Sequence, residues 1–264
     1  MTRSSLSCTK CNSKEYWKAG FYKNMQVYRC KSCKTEFTEL SFSKYARHRF
    51  DKQIILFSIM LYRYGLSSYS ISEVLWKRFK IKISPRTICN WARKFGDIRH
   101  LARHLNIQFS RIWHMDEMFI RAKGRMNYLY AVIDDRSNVI ALHVSERRDQ
   151  KSAMCCLRKA RYITGKPDII VTDNWNAYPR VIKNVFGRGK VRHVQAHFER
   201  KPIWFKNTIY SLSNNRIEGW NSWFRRIYRG MRGFKSMVSM QRFLDIFGVL
   251  WNLKSDAWDF LERL

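Results

Sequence analysis

The chain has 264 residues and a formal charge of +31, from 51 Lys and Arg against 20 Asp and Glu, and 45% of its residues are apolar. That balance excludes a charged disordered chain. The longest apolar run, Ile54 to Tyr62, is nine residues, far short of the roughly 20 that cross a bilayer, and the N-terminal MTRSSLSCTK lacks the apolar stretch of a secretion signal. A basic chain of this kind, with a pI near 10.3, is expected in the cytoplasm, facing DNA or RNA rather than a membrane.

The first segment, 1–42, carries Cys8-x2-Cys11 and, after eighteen further residues, Cys30-x2-Cys33. In a reducing compartment such pairs read as two metal-binding knuckles, not disulfides. The aromatic stretch from Tyr16 to Tyr28 between them suits a hairpin, so the segment is expected to be a zinc ribbon with four thiolates on one structural Zn²⁺. So short a piece cannot stabilise itself by core burial, and the metal would supply on the order of 10 kcal/mol. Arg29, Lys31 and Lys34 beside the ligands suit a phosphate-facing ribbon; a purely structural or dimerising one is the other reading. Cys89, Cys155 and Cys156 fall in helix-like stretches and are expected in the core.

Residues 43–104 change to a helical period. Ile54, Ile55, Phe57, Ile59, Met60 and Leu61 make one apolar helix. A second, SSYSISEVLWKRF, places Ile71, Val74, Leu75 and Phe79 on one face. Ser84-Pro85 then supplies an N-cap and a first-turn proline to a third helix with Ile88, Trp91, Ala92 and Phe95 inward. Arg86, Thr87, Asn90, Arg93 and Lys94 lie elsewhere on it. This is a helix–turn–helix pattern with a basic recognition helix; an ordinary helical hairpin would share its core period.

From 105 to 264 the texture is mixed α/β. RIWHMDEMFI, NYLYAVID and NVIALHVS read as an antiparallel meander with turns at Lys123-Gly124-Arg125 and Asp135-Arg136-Ser137-Asn138. A helix from Gln150 to Tyr162, the short strand DIIVTD, a less regular stretch with a possible strand in KVRHVQAHF, and a helical region from Asn215 to Phe260 follow. That order gives a mixed sheet whose active edge lies at the strand ends.

Three acids stand out in this basic field: Asp116 within the first strand run, Asp173 at the end of the fourth, and Glu218 opening the Trp-rich helix NNRIEGW. Carboxylates converging from separate elements can hold two Mg²⁺ or Mn²⁺ ions about 4 Å apart for in-line attack on a phosphodiester, as nucleases and transposases require. Glu117 competes with Asp116, because alternation turns only one of them to a given side of the strand. Asp134 and Asp135 read as turn residues, Asp168 as a strand starter, Asp173 also as a turn initiator and Glu218 also as a first-turn helix acid. Around Glu218, Arg216, Arg225, Arg226, Arg229, Arg232 and Lys235 could bind DNA phosphates. Trp220, Trp223, Phe224 and Tyr228 share one helix face and are expected mostly in the core rather than stacked on bases. Asn214 and Asn215 are expected to shape the approach to Glu218; His193 and His197 are candidates for phosphate contacts or core polar pairs.

WHMDEMFIRAKGRMNYLYAVIDDRSNVIALHVSERRDQKSA, DNWNAYPRVI and NNRIEGWNSWFRRIYRGMRGFKS resemble, in order, the three acid-bearing blocks of DDE-type insertion-sequence transposases, above all those of the insertion-sequence-six (IS240-like) family of bacteria and archaea. The resemblance implies a ribonuclease-H-like fold, the triad Asp116, Asp173 and Glu218, divalent metal, cut-and-rejoin chemistry on the double-stranded DNA ends of a mobile element and on target DNA, a homodimer or higher oligomer pairing two ends, and a place at the prokaryotic nucleoid. The interval from Asp173 to Glu218 is 45 positions (218 − 173), longer than is usual for that family, so an inserted loop is expected within GRGKVRHVQAHFERKPIWFKNTIYSLS. The rival readings are a metal nuclease that cleaves without rejoining and a DNA-binding regulator with an inert catalytic-like domain.

Overall fold

The computed structural model describes residues 6–22, 25–38, 41, 49–95, 107–122, 124–196, 200–206, 208–231 and 234–253, without the side chains of 95 and 201. The expected domain boundaries near 42 and 104, together with His197, Arg232 and the side chain of Phe95, lie outside the described residues. The chain divides into two compact units, the first running to Phe57 and the second beginning at Ser58.

In the first unit, β1 (Tyr16–Tyr22), β2 (Met25–Cys30) and β3 (Glu36–Thr38) form a three-stranded antiparallel sheet in that order. The expected hairpin is present, and β3 adds a strand that the sequence did not announce. Its interior is small: Tyr28 and Phe37 are buried against the half-buried Tyr16, with ring centroids 5.1 and 5.7 Å from Tyr16. Helix α1 (Lys52–Arg63) follows.

The second unit contains α2 (Ser68–Phe79) and α3 (Pro85–Phe95). Ser67 caps α2, accepting from the Ser70 amide at 3.1 Å, and Lys80 ends it in the left-handed region with φ 58°. Ser84 caps α3 through the Thr87 amide at 3.2 Å. Ile71, Leu75, Ile88, Trp91 and Ala92 are buried as the period requires. Val74 is only half-buried, and Phe79, expected inward, is exposed in the last turn of α2. Gly65 sits at φ +86°, where a Cβ would lie 2.6 Å from the Ile227 Cγ2; a left-handed residue without a side chain permits that approach.

The remainder is built on a five-stranded sheet in the order β6-β5-β4-β7-β8. Strands β4 (Ile112–Ala122), β5 (Arg125–Asp134) and β6 (Val139–Ser145) make the antiparallel meander; β7 (Ile169–Thr172) and β8 (Arg192–Gln195) run parallel to β4. Helices α4 (Gln150–Thr164) and α5 (Tyr178–Phe186) supply the crossovers. Three antiparallel strands followed by two parallel ones, with helical crossovers, is the ribonuclease-H-like arrangement. The face of the sheet carrying Trp113, Met115, Tyr130 and Val132 packs with Ala153, Cys156, Leu157, Tyr178 and Val181 from α4 and α5. Cys155, one position from the fully buried Cys156, is exposed, as is Cys89; two of the three cysteines expected in the core therefore lie outside it, because neighbours on a helix point about 100° apart. The opposite face carries Ile112, Ile169, Val171 and Val194, packed with Ile203 and Leu212. Those last two come from β9 (Lys201–Phe205) and β10 (Thr208–Leu212), an antiparallel hairpin standing where an inserted loop is expected. Helices α6 (Asn215–Gly230) and α7 (Met237–Leu253) are the last elements among the described residues.

Strand β6 is a sheet edge, and α7 covers it with side-chain amides. Gln241 accepts from the Val144 amide at 3.0 Å and donates to the Leu142 carbonyl at 3.1 Å; Asn252 accepts from the Val139 amide at 2.6 Å and donates to its carbonyl at 2.7 Å. Gly248 lets the helix close on the strand, since a Cβ there would meet Val139 Cγ1 at 3.2 Å. Covering an edge removes a template for strand addition. Asn252→Ala leaves a donor and an acceptor of Val139 unpaired and is expected to cost about 2 kcal/mol, read from the urea midpoint at unchanged slope.

Candidate functional site

Strand β4 brings Asp116 to the site because its alternation runs unbroken: Ile112, His114 and Asp116 face one way, Trp113, Met115 and Glu117 the other. Parallel pairing of β4 with β7 sets Met115 opposite Thr172. Asp116 and Asp173, each one residue further on, are thus neighbours at the carboxyl end of β7. Asp173 opens the loop to α5, and its Oδ1 accepts from the Trp175 amide at 3.0 Å; the turn-initiating role and the site placement coexist. Glu218 stands in the first turn of α6, half-buried. One turn later Asn221, 3% exposed, donates from Nδ2 to Asp116 Oδ2 at 2.8 Å. That bond ties the helix bearing the third acid to the strand bearing the first. Asn221 was not singled out by the sequence; its only signal was its position one helical turn after Glu218.

The charges of the other two acids reach Asp116. The Asp116 carboxyl is pushed up to about 7, first by burial and then by the neighbouring charge of Glu117, with Asp173 and Glu218 adding to it; the Glu117 amide, which donates to Asp116 Oδ1 at 2.9 Å, pulls the other way. Carboxylates that repel one another in a partly dry site, all offering oxygen, suit a hard divalent cation. His114, on the same side of β4, is held down to about 4 by burial and then by Arg216.

The competing acids go elsewhere. Glu117 faces α4 and α5, paired with Arg148 and accepting from the Tyr178 hydroxyl. Asp134 shapes the β5–β6 turn, accepting from the amides of Arg136 and Asn138 at 3.0 and 2.7 Å. Asp168 starts β7, paired with Arg111 at 2.9 Å and Lys206 at 3.0 Å. His193 forms a polar pair with Thr172 Oγ1 at 2.8 Å. Asn214 is buried at the N-cap position of α6, where its side chain makes no capping bond.

Arg86, Asn90, Arg93 and Lys94 are exposed along α3; Thr87 is half-buried, its hydroxyl 2.9 Å from that of Ser84. Arg216, Arg225, Arg226 and Arg229 are exposed on α6, and Lys235 lies 5.5 Å from the Tyr69 ring. The aromatic face of α6 is core: Trp220 and Phe224 are buried, and Trp223 and Tyr228 are half-buried. Trp223 packs on Trp251 at 4.3 Å, and the Tyr228 hydroxyl donates to the Arg121 carbonyl at 2.7 Å.

In the first unit, the sulfurs of Cys8, Cys11, Cys30 and Cys33 all lie within 4.8 Å of one another, with Cys8–Cys33 at 3.4 Å and Cys11–Cys30 at 3.5 Å. A tetrahedral zinc with sulfur at about 2.3 Å requires edges near ~3.8 Å, so the donor set fits. Both knuckles fold alike. The Asn12 amide donates to the Cys8 carbonyl at 2.9 Å and the Lys34 amide to the Cys30 carbonyl at 3.1 Å, and both residues have φ 58°. Of the nearby cations, Arg29 pairs with Glu36 and Lys34 lies 4.7 Å from the Trp17 ring.

The chain is similar in sequence to known transposases. The transposase for insertion sequence-like element IS431mec of Staphylococcus aureus strain Mu50 is 29% identical over 134 residues, covering 49% of this chain and 58% of that protein. The transposase for insertion sequence element IS257 in transposon Tn4003 of the same species matches with the same identity and extent. The chain therefore spans a little over half the length of these curated relatives. Among solved structures, the catalytic domain of Mos1 mariner transposase is similar at 14% identity and a TM-score of 0.36, covering 69% of this chain and 94% of that one. The profile of the IS240-type transposase family, described as a DDE domain, matches residues 110–257, which take in all three acids and every element from β4 to α7. The chain belongs to that DDE family of insertion-sequence transposases.

Proposed function

We propose that the protein is a DNA transposase that cleaves the ends of an insertion sequence and joins them to target DNA, with Asp116, Asp173 and Glu218 as its metal-holding acids. The observation that carries this reading is the meeting of β4, β7 and α6: parallel register sets Asp116 beside Asp173, and Asn221 ties the Glu218 helix to Asp116. Two divalent cations, Mg²⁺ or Mn²⁺, held by these carboxylates would activate the attacking hydroxyl and stabilise the leaving oxygen. The chain's own residues supply the rest. Exposed Arg216, Arg225, Arg226 and Arg229 line the helix of the third acid and suit DNA phosphates, as would Arg232 and Lys235 beyond it. Arg86, Thr87, Asn90, Arg93 and Lys94 on α3 suit recognition of the element end through the major groove. Cys8, Cys11, Cys30 and Cys33 would hold one structural Zn²⁺. Pairing of two element ends calls for a homodimer or higher oligomer on DNA. Among the described residues no helix is long and apolar enough to cross a membrane.

The deciding experiment incubates the protein with labelled element ends, a target plasmid and Mg²⁺, and sequences the junctions. Joined products carry the reading. Cleavage without joining would assign a nuclease, and end binding without either reaction a regulator. Affinity for the ends should fall steeply with salt, with a slope of about −0.9 per phosphate neutralised. Arg225→Ala and Arg226→Ala are each expected to lower that slope by about 1, measured by fluorescence anisotropy across a salt series.

A further inference from the structure

The reverse face of β4 holds a carboxylate that the reaction does not use. The Glu117 side chain is 6% exposed, and a buried carboxylate persists only where its charge and lone pairs are satisfied. Here Arg148 donates from Nε to Oε1 at 2.6 Å and completes an ion pair, while the Tyr178 hydroxyl takes Oε2. Both partners belong to the surroundings of one loop, 173–178. Tyr178 ends that loop as the first residue of α5 and is fully buried. Arg148 lies 4.9 Å from the ring of Trp175 in the loop's middle, and that ring meets Tyr178 edge-on at 5.0 Å and 87°. The Trp175 amide in turn donates to Asp173 Oδ1. Start, middle and end of the loop are thus referred back to a single side chain of β4, the residue next to Asp116.

We propose that Glu117 is a positioning residue: its carboxylate, through Arg148 and Tyr178, anchors the 173–178 loop so that Asp173 is held beside Asp116. Strand alternation makes this possible, since consecutive residues of one strand place Asp116 in the site and Glu117 behind it. Main-chain pairing with the sheet fixes β7 only as far as Thr172. Beyond it the loop has one turn bond, from the Tyr178 amide to the Trp175 carbonyl at 3.1 Å, which does not tie it to β4. Its links to β4 run through side chains. Tyr178 is suited to the part because burial, and then the Glu117 charge, hold its hydroxyl protonated as a donor. Groups that orient metal ligands from behind typically change metal affinity by about 10- to 100-fold when removed.

The proposal rests on the reading of Asp173 as a metal-holding acid, and one set of measurements separates the two. Mn²⁺ is titrated calorimetrically into the full chain, below its melting temperature, for wild type, Glu117→Gln, Tyr178→Phe and Asp173→Asn, and amide hydrogen exchange is followed over 173–178. Tyr178→Phe removes one oxygen and keeps the packing, so it serves even where Glu117→Gln folds poorly. Asp173→Asn is expected to abolish Mn²⁺ binding at the acid site. Glu117→Gln is expected to weaken it by about 10-fold and Tyr178→Phe by about 3-fold, with faster exchange across the loop; a purely structural role would lower the melting temperature and leave Mn²⁺ affinity unchanged. Affinities within twofold of wild type in both variants, beside a silent Asp173→Asn, would overturn the anchoring role. Were Asp173→Asn to bind Mn²⁺ normally, the metal assignment would fall instead, and loop exchange alone would decide: faster in Glu117→Gln supports the anchor, unchanged exchange refutes it.

Discussion

Asp116→Asn should reduce strand transfer by a factor on the order of 10³ or more while leaving the affinity for element ends as it is, and it should raise the melting temperature of the magnesium-free protein. Both effects have one cause. Burial and the charges of Glu117, Asp173 and Glu218 lift the Asp116 carboxyl to about 7, against about 3.9 in an unfolded chain. Between those values the folded protein keeps a proton that the unfolded chain has released, so stability falls as pH rises through the window, and the cost is fully present above pH 7. Asparagine carries no charge to desolvate, and its amide can still meet Asn221. The gain in melting temperature should therefore be largest near pH 8, shrink as pH falls towards 4, and disappear when Mg²⁺ is added to the wild type. Thermal scans at several pH values in magnesium-depleted buffer without chelator test this, since a chelator would also draw on the cysteine site. A variant that melts lower than wild type at pH 8, or that still joins strands, would reject the placement of Asp116.

Cys11→Ser should abolish zinc binding and unfold the ribbon, residues 6–38, alone. Its strands carry three, six and seven residues and its interior is little more than Tyr16, Tyr28 and Phe37 with the cysteines. Against a conformational entropy of about 1–2 kcal/mol per residue, so small a core cannot hold the ribbon, whereas four thiolates on zinc supply on the order of 10 kcal/mol. The expected result is one zinc per wild-type chain and none in the variant. Residues 6–38 should become open to proteolysis, while the unit beginning at Ser58 keeps its melting transition. Zinc content by mass spectrometry and limited proteolysis read the two parts separately. Unchanged zinc stoichiometry in Cys11→Ser would exclude the four-thiolate site.

Much of the candidate site was legible in the sequence because strand alternation is a local rule. IWHMDEMFI placed Asp116 and Glu117 on opposite sides of β4, and the structure puts Asn221 on one and Arg148 with Tyr178 on the other. Helix starts were legible for the same reason, since Ser67 and Ser84 cap backbone amides three residues away. Helical burial was less so. The period names a face, but only neighbouring elements decide how far along the helix it is covered. Ile71 and Leu75 are buried while Phe79, on the same stripe, is 40% exposed. Cys155 and Cys89 failed for a finer reason, each being one position, and so about 100°, from a buried neighbour.

The hairpin of β9 and β10 was hidden because its two strands have little in their own pattern to distinguish them. Ile203 and Leu212 turn inward, Trp204 and Ile209 outward at 62% and 65% exposure; pairing them required the sheet face on which the inner pair rests. Asn221 was hidden too, since an asparagine in the third turn-position after an acid has no meaning until a partner faces it.

By itself the sequence determined which residue types this protein could use: two thiol pairs with knuckle spacing, three acids in apolar or helix-opening settings, and cations enough to meet a polyanion. These follow from chemistry and from periods of two and 3.6 residues, which act over a few positions. Only the tertiary structure decided which groups meet. The register of Met115 with Thr172, the 2.8 Å bond of Asn221 to Asp116 and the convergence of Arg148 and Tyr178 on Glu117 join residues as far as 105 positions apart. Such meetings are set by strand order and helix docking, which no local period encodes.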